Sequence, residues 1–144
     1  MTILPSPLVL LLASLLWLGA CAPKPPVQFE IAEVATDKTY GYSQHHPIKV
    51  GGSAQGRGAD HRDWFFKVLR GPQGQPVSYV SNSTCCSFST NSSAEPLGYL
   101  EVVLVTYKGM ESPAILYVDT VNFDAPKAPV GFTFAQPEIF SGPP

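Results

Sequence analysis

The hydrophobic pattern sets an apolar leader apart from a mixed remainder. From Leu8 to Ala20 the run LVLLLASLLWLGA is almost wholly apolar, and no charged side chain occurs before Lys24. Pro5 and Pro7 hold its regular part below the about 20 residues that a hydrocarbon-spanning helix needs, whereas a signal-peptide core needs only about 7 to 15. Further on, VQFEIAEVA (Val27 to Ala35) alternates, with Val27, Phe29, Ile31 and Glu33 on one face and Gln28, Glu30 and Ala32 on the other, which predicts a strand. TDKTYGYSQHHP predicts turn and loop, Ile48 to Val50 a short strand, and GGSAQGRGAD a flexible glycine loop. In DHRDWFFKVLRGP (Asp60 to Pro72) a helix gathers Trp64, Phe65, Val68 and Leu69 on one stripe opposite Lys67 and Arg70. Asp60 would serve as N-cap and Gly71-Pro72 as the stop. The same residues as a strand would pair through GPQGQ with PVSYV; punctuation at both ends favours the helix.

SNSTCCSFSTNSSAEP (Ser81 to Pro96) predicts a polar loop. YLEVVLVTY (Tyr99 to Tyr107) and AILYVDTVNF (Ala114 to Phe123) are β-branched and aromatic runs joined by KGMESP, which predicts an antiparallel hairpin at the centre of a sheet. DAPKAPVGFTF adds a proline-broken edge segment, and SGPP should fray. The fold expected is α+β: a single small domain, mainly antiparallel sheet with a central hairpin and one short helix. The chain divides into residues 1–20 as leader, 21–26 as a proline-rich stalk, and 27–144 as one globular domain with a frayed tail. That last span fits the about 100 to 150 residues of an ordinary domain.

Composition narrows the function classes. Nine Lys+Arg against 11 Asp+Glu give a net charge of −2, so nothing draws the chain to nucleic acid or anionic lipid. Charged residues are 14% and hydrophobic residues 44%, which excludes a disordered acidic tail or basic arm. The 15 prolines favour a loop-rich, strand-rich domain.

Three cysteines are an awkward number for an oxidising compartment. The tetrad LGAC, Leu18 to Cys21, resembles the lipobox of bacterial lipoproteins, in which an aliphatic residue, two small residues and a cysteine are read by a dedicated signal peptidase. That resemblance implies cleavage after Ala20, a diacylglyceryl thioether on Cys21, and acylation of the new N-terminus, for which palmitate is a suitable chain. Several acyl chains hold firmly because each buried methylene adds about 0.8 kcal/mol. APKPPVQ would then be a short, stiff stalk. No Lys or Arg precedes the apolar run, a departure from the usual signal. The competing reading is an uncleaved N-terminal helix with a cysteine at its end. Ala22 after the cysteine leans toward the outer membrane.

With Cys21 assigned, Cys85 and Cys86 remain. Adjacent Cα atoms lie about 3.8 Å apart across a trans peptide, below the usual disulfide span, so a bridge between them would strain the backbone. The readings are a candidate vicinal disulfide serving as a clip or a thiol switch, or a pair of inert buried thiols. His45, His46 and His61 could meet at a metal, although adjacent residues in an extended chain point to opposite sides; no metal is expected. GGSAQGRG nearly fits a phosphate loop, but Arg57-Gly58 stands where Lys and Ser/Thr should be. GxSxG, HExxH and EF-hand patterns are absent, and nothing pairs Asp60, Asp63 and Asp119 as acid and base. No enzyme activity and no cofactor are expected.

TYGYSQHHPIKVGG, FFKVLRGPQGQPVSY, STCCSF and AILYVDTVNFDAPKAPVGFTF together resemble a family of small Gram-negative lipoproteins of uncharacterised role, across residues 39 to 134. The chain is too short for an aldolase barrel of about 200 residues or more. The resemblance implies a protein anchored in the cell envelope, at the outer membrane facing the periplasm. Its partners would be the membrane, through the lipid, and an envelope protein. Contact would fall on loops with exposed aromatics, including Tyr40, Tyr42 and the region around Cys85. The alternative is a thiol-redox or metal-handling module using Cys85, Cys86 and His45, His46 and His61.

Overall fold

A computed structural model describes residues 33–51 and 58–135. The leader, Cys21, the stalk, most of the predicted first strand, residues 52–57 of the predicted glycine loop and the SGPP tail lie outside the described residues, and the last three residues of that loop are helical. Seven elements follow in order: β1 (Ile48–Lys49), α1 (Gly58–Val68), β2 (Leu69–Arg70), β3 (Val77–Ser89), β4 (Leu97–Tyr107), β5 (Ala114–Asp119) and β6 (Thr133–Phe134). The main sheet has the order β1-β5-β4-β3, and β2 pairs with β6 apart from it. The domain is therefore α+β, with a mainly antiparallel sheet, one helix, and the β4–β5 hairpin at the sheet's centre. The parallel pair in that sheet is β1 with β5, Ile48 opposite Val118.

Alternation along the hairpin places the core. Val103 and Val105 on β4, with Leu116 and Val118 on β5, are fully buried beside Ile48 and Val50. Phe65 and Phe66 of α1, with Ala128 and Phe132, join the same cluster. Each buried Val, Leu, Ile or Phe of this cluster contributes about 1.5–3 kcal/mol. Phe65, Val68 and Leu69 are buried as expected, while Phe66 takes the inward place expected of Trp64, which is half-buried. The helix starts at Gly58, which puts Asp60 in the first turn instead of at the N-cap; there its charge still complements the helix dipole.

The helix ends at Val68 and not at the glycine. Leu69 and Arg70 pair with Phe134 and Thr133, and the Ala135 N–H donates to the Val68 carbonyl at 2.8 Å. The Arg70 guanidinium donates to the Lys67 and Leu69 carbonyls, each at 2.8 Å, so a cation caps the negative end of the helix. A tight turn follows, with Gly71 N–H on the Gln75 carbonyl.

The predicted polar loop at residues 81 to 96 is largely strand. β3 runs through it to Ser89, paired antiparallel with β4 from Val77–Tyr107 to Ser89–Leu97. At the sheet edge the main-chain ladder to β4 holds this stretch, so it needs no apolar face of its own, and bulges at Asn82 and Cys86 break the alternation. β5 in turn stops at Asp119, four residues short of the expected end. Val34, in the predicted first strand, makes one isolated parallel bridge to Ala128.

Candidate functional site

β3 carries the most unusual backbone. Cys85 faces Leu100 and Ser87 faces Tyr99, so Cys86 is the unpaired residue of a bulge. Its φ is +56°, and it is the non-glycine residue with positive φ among the described residues. A side chain in that left-handed region costs about 1–2 kcal/mol. The Sγ atoms of Cys85 and Cys86 are joined in a disulfide across a Cα–Cα distance of 3.7 Å, and both residues are half-buried. Bonded sulfurs offer neither a thiolate nucleophile nor a soft metal ligand; they can accept attack by an incoming thiolate. Close by, the Phe88 ring covers Gly98, where a Cβ would overlap it.

A cluster of charged groups pins α1 to the sheet. Arg62 Nη1 donates to Glu101 Oε2 at 2.6 Å, while Nη2 and Nε reach Asp63 Oδ1 at 2.8 and 2.9 Å. Tyr79 OH donates to the same oxygen at 3.0 Å, and its ring stacks on Phe66 with centroids 4.6 Å apart. Burial works against the Arg62 charge, but the hydrogen bonds to Glu101 and Asp63 outweigh it and raise its pKa. For Tyr79, burial first and the Asp63 hydrogen bond second push the phenol pKa up. Every member of this cluster is engaged with another. Sequence patterning missed it because Arg62 and Glu101 are far apart in the chain and each looks like an ordinary surface charge.

Asp119 is nearly fully buried at the end of β5. Its Oδ1 accepts from the Val121 and Asn122 N–H groups, and its Oδ2 from Asn122 Nδ2, all at 2.8 Å. Asn122 Oδ1 accepts from Thr90 Oγ1 at 2.8 Å, which ties the end of β5 to the residue following β3. The local signal was present in DTVN, because an aspartate two and three residues before backbone donors is a turn former.

The three histidines have separate engagements. His46 Nδ1 lies 3.0 Å from Asp37 Oδ2, in a turn where Asp37 accepts from both N and Oγ1 of Thr39. His61 Nδ1 donates to the Val50 carbonyl at 2.9 Å, and His45 sits beside Gln44. Among the described residues no three His, Cys, Asp or Glu side chains form a group that could hold a metal ion. Tyr40, expected on an exposed contact loop, instead packs against the core and accepts the Lys127 N–H at 3.0 Å. Burial, then, raises its pKa, with the Lys127 hydrogen bond acting in the opposite sense. Tyr42 keeps an exposed ring and donates its OH to the Val130 carbonyl at 2.7 Å. The two tyrosines clamp the loop after Ala35 onto the segment between Lys127 and Val130.

Among the described residues no helix is long and apolar enough to cross a membrane. No family model, no curated protein and no solved structure matches this chain.

Proposed function

We propose that this chain is a lipid-anchored cell-envelope lipoprotein, held at the outer membrane through Cys21 and acting in the periplasm as a binding or structural module without enzyme activity. The observation that carries this reading is the cysteine pairing. Cys85 and Cys86 bond to each other, which leaves Cys21 over, directly after the apolar run and the small residues Gly19 and Ala20. A disulfide also suits the oxidising side of a membrane. Arg62, Glu101 and Asp63 serve a structural role, holding the helix to the sheet.

Growth with radiolabelled palmitate tests the anchor. Label should appear on the wild-type chain and vanish in Cys21→Ser; label that persists in that variant overturns the anchor. Cross-linking in intact cells tests the binding role, and recovery of no specific envelope partner would count against it. The bridged cysteines favour a second reading, thiol-disulfide exchange with a dithiol partner. A Cys85→Ser, Cys86→Ser chain should keep its cross-linked partners under the first reading and lose them under the second.

A further inference from the structure

The bulge at Cys86 decides which face of the sheet receives the side chains at the end of β3. Cys85 faces Leu100 and Phe88 faces Gly98, two residues apart on β4 and so on one face, where Leu100 and Gly98 are both buried. Cys85 and Phe88 are three residues apart, a spacing that in a regular strand sets side chains on opposite faces. The surplus residue restores the match, and Phe88 closes over Gly98 so tightly that a Cβ there would overlap its ring. A regular ladder continued from Cys85 would instead set Cys86 against Tyr99, Ser87 against Gly98 and Phe88 against Leu97. Every side chain from Ser87 to Ser89 would then change faces.

Two ties hold the register seen. Beyond the segment, the Thr90 N–H donates to the Pro96 carbonyl at 3.0 Å and the Thr90 hydroxyl to Asn122 Oδ1 at 2.8 Å. That tie still allows the surplus residue to pass along the strand into the loop that begins at Thr90. The bond between Cys85 and Cys86 does not, because the ring it closes contains the N–Cα bond of Cys86, about which φ turns. It fixes φ at +56°, in the region that glycine ordinarily supplies to a bulge.

We propose that the Cys85–Cys86 bond is a redox latch on the register of β3: oxidised, it holds the surplus residue at Cys86; reduced by a dithiol, it lets Cys86 rejoin the ladder and Ser87 to Ser89 shift by one residue against β4. One thiolate of the dithiol attacks a sulfur of the bridge, and the other sulfur leaves with the electron pair and takes up a proton. The dithiol's second thiol then displaces the remaining cysteine from the mixed disulfide. Two electrons and two protons pass to Cys85 and Cys86, and the dithiol ends as a disulfide. Freed of the ring, Cys86 bears the cost of a side chain in the left-handed region, a bias of about five- to thirtyfold toward the regular ladder. Phe88 exchanges its contact with Gly98 for Leu97 and Tyr99, both exposed on the other face. The sheet thus presents a different surface in each redox state. The trigger rests on the thiol-disulfide exchange reading; the latch is a further property of the fold and does not depend on Cys21.

Nuclear magnetic resonance of the full chain in detergent micelles, before and after reduction with dithiothreitol, tests it. Before reduction the Gly98 α-protons should carry a ring-current shift from Phe88, and cross-strand contacts should join Tyr99 to Ser87. After reduction that shift should fall away, the contacts of Tyr99 should pass to Cys86, and the ratio of the two registers should move by about five- to thirtyfold. Cys85→Ser with Cys86→Gly removes the bond but leaves a residue at ease in the left-handed region, and should keep the bulge. Cys85→Ser with Cys86→Val, which suits a strand and not that region, should take the shifted register with or without dithiothreitol. A bridge that excess dithiothreitol leaves intact, or Gly and Val variants alike in register, overturns the proposal. So does reduction that also scatters the Val103 and Val105 resonances, which is unfolding. A readily reduced bridge with Gly98 and Tyr99 unchanged overturns the latch and leaves the exchange reading standing.

Discussion

Truncation of Asp119 is the sharpest test of what holds the sheet's end together. Asp119→Ala removes a buried acceptor and leaves three donors, the Val121 and Asn122 N–H groups and Asn122 Nδ2, without it. An orphaned buried donor costs about 1–3 kcal/mol. Val121 and Asn122 are only half-buried, so water can reach part of the gap, and the expected loss is about 2–4 kcal/mol. Asp119→Asn should cost less. Its carbonyl oxygen can keep both backbone donors, and the clash of two amide groups at Asn122 is relieved if Asn122 flips and donates to Thr90 Oγ1. Urea unfolding followed by circular dichroism measures both, with the midpoint falling at constant slope and the order wild type, Asn, Ala. For a domain of this size 2–4 kcal/mol corresponds to a drop in Tm of roughly 10–25 °C. An Asp119→Ala chain within about 0.5 kcal/mol of wild type, the ordinary range for a surface substitution, would refute the assignment.

Further outcomes follow from the same geometry. A Cβ on Gly51 would sit 2.5 Å from the Thr120 carbonyl carbon and oxygen, which are backbone, so Gly51→Ala should cost at least about 2 kcal/mol in urea unfolding. Gly98→Ala meets the end of the Phe88 side chain, which can turn aside, and should cost less. In a Cys85→Ser background, Cys86→Gly should be about 1 kcal/mol more stable than Cys86→Ala, because only glycine is at ease at φ +56°; equal stabilities would contradict the left-handed bulge. Lys127 lowers the Glu33 pKa through its hydrogen bond and charge, and the Thr39 N–H and hydroxyl bonds lower that of Asp37. Groups with depressed folded pKa values stabilise the fold above their unfolded values, and the contribution is lost as pH falls through the folded ones. The urea midpoint should therefore drop below about pH 4, and Glu33→Gln with Asp37→Asn should flatten that part of the profile.

The hairpin was legible because it is buried on one face and β-branched throughout: Val103, Val105, Leu116 and Val118 carry a period of two. The helix was legible as an element, but its exact stripe was not. Phe66 turns inward because Tyr79 supplies a ring for it to stack on, and the stop at Val68 is imposed by pairing with Thr133 and Phe134, more than 60 residues away. The part of β3 from Ser81 to Ser89 was illegible for a different reason. Ser, Thr and Asn carry the signature of a loop, and an edge strand supported by hydrogen bonds to β4 leaves no hydrophobic trace in its own sequence. Of the candidate site residues, Cys85 and Cys86 were visible as a pair. The Arg62, Glu101 and Tyr79 cluster was not, since its members meet only once the helix lies across the sheet.

The features of β3 act on one another. A 13-residue uncharged strand that pairs on one side among the described residues carries few of the usual guards of a sheet edge, and a flat edge of that kind is an aggregation hazard. The extra residues at Asn82 and Cys86 twist the ladder and divide it, and the bond between Cys85 and Cys86 ties down the second division in a conformation that a non-glycine residue would otherwise leave. The longest regular stretch is Val77 to Ser81, whose central residue is fixed from the helix side by Phe66 and Asp63. A short, rigid, uncharged run bounded by a turn on one side and a bulge on the other favours one register over the slipped alternatives. The same bulges thus interrupt the regular ladder that a long uncharged strand would otherwise present.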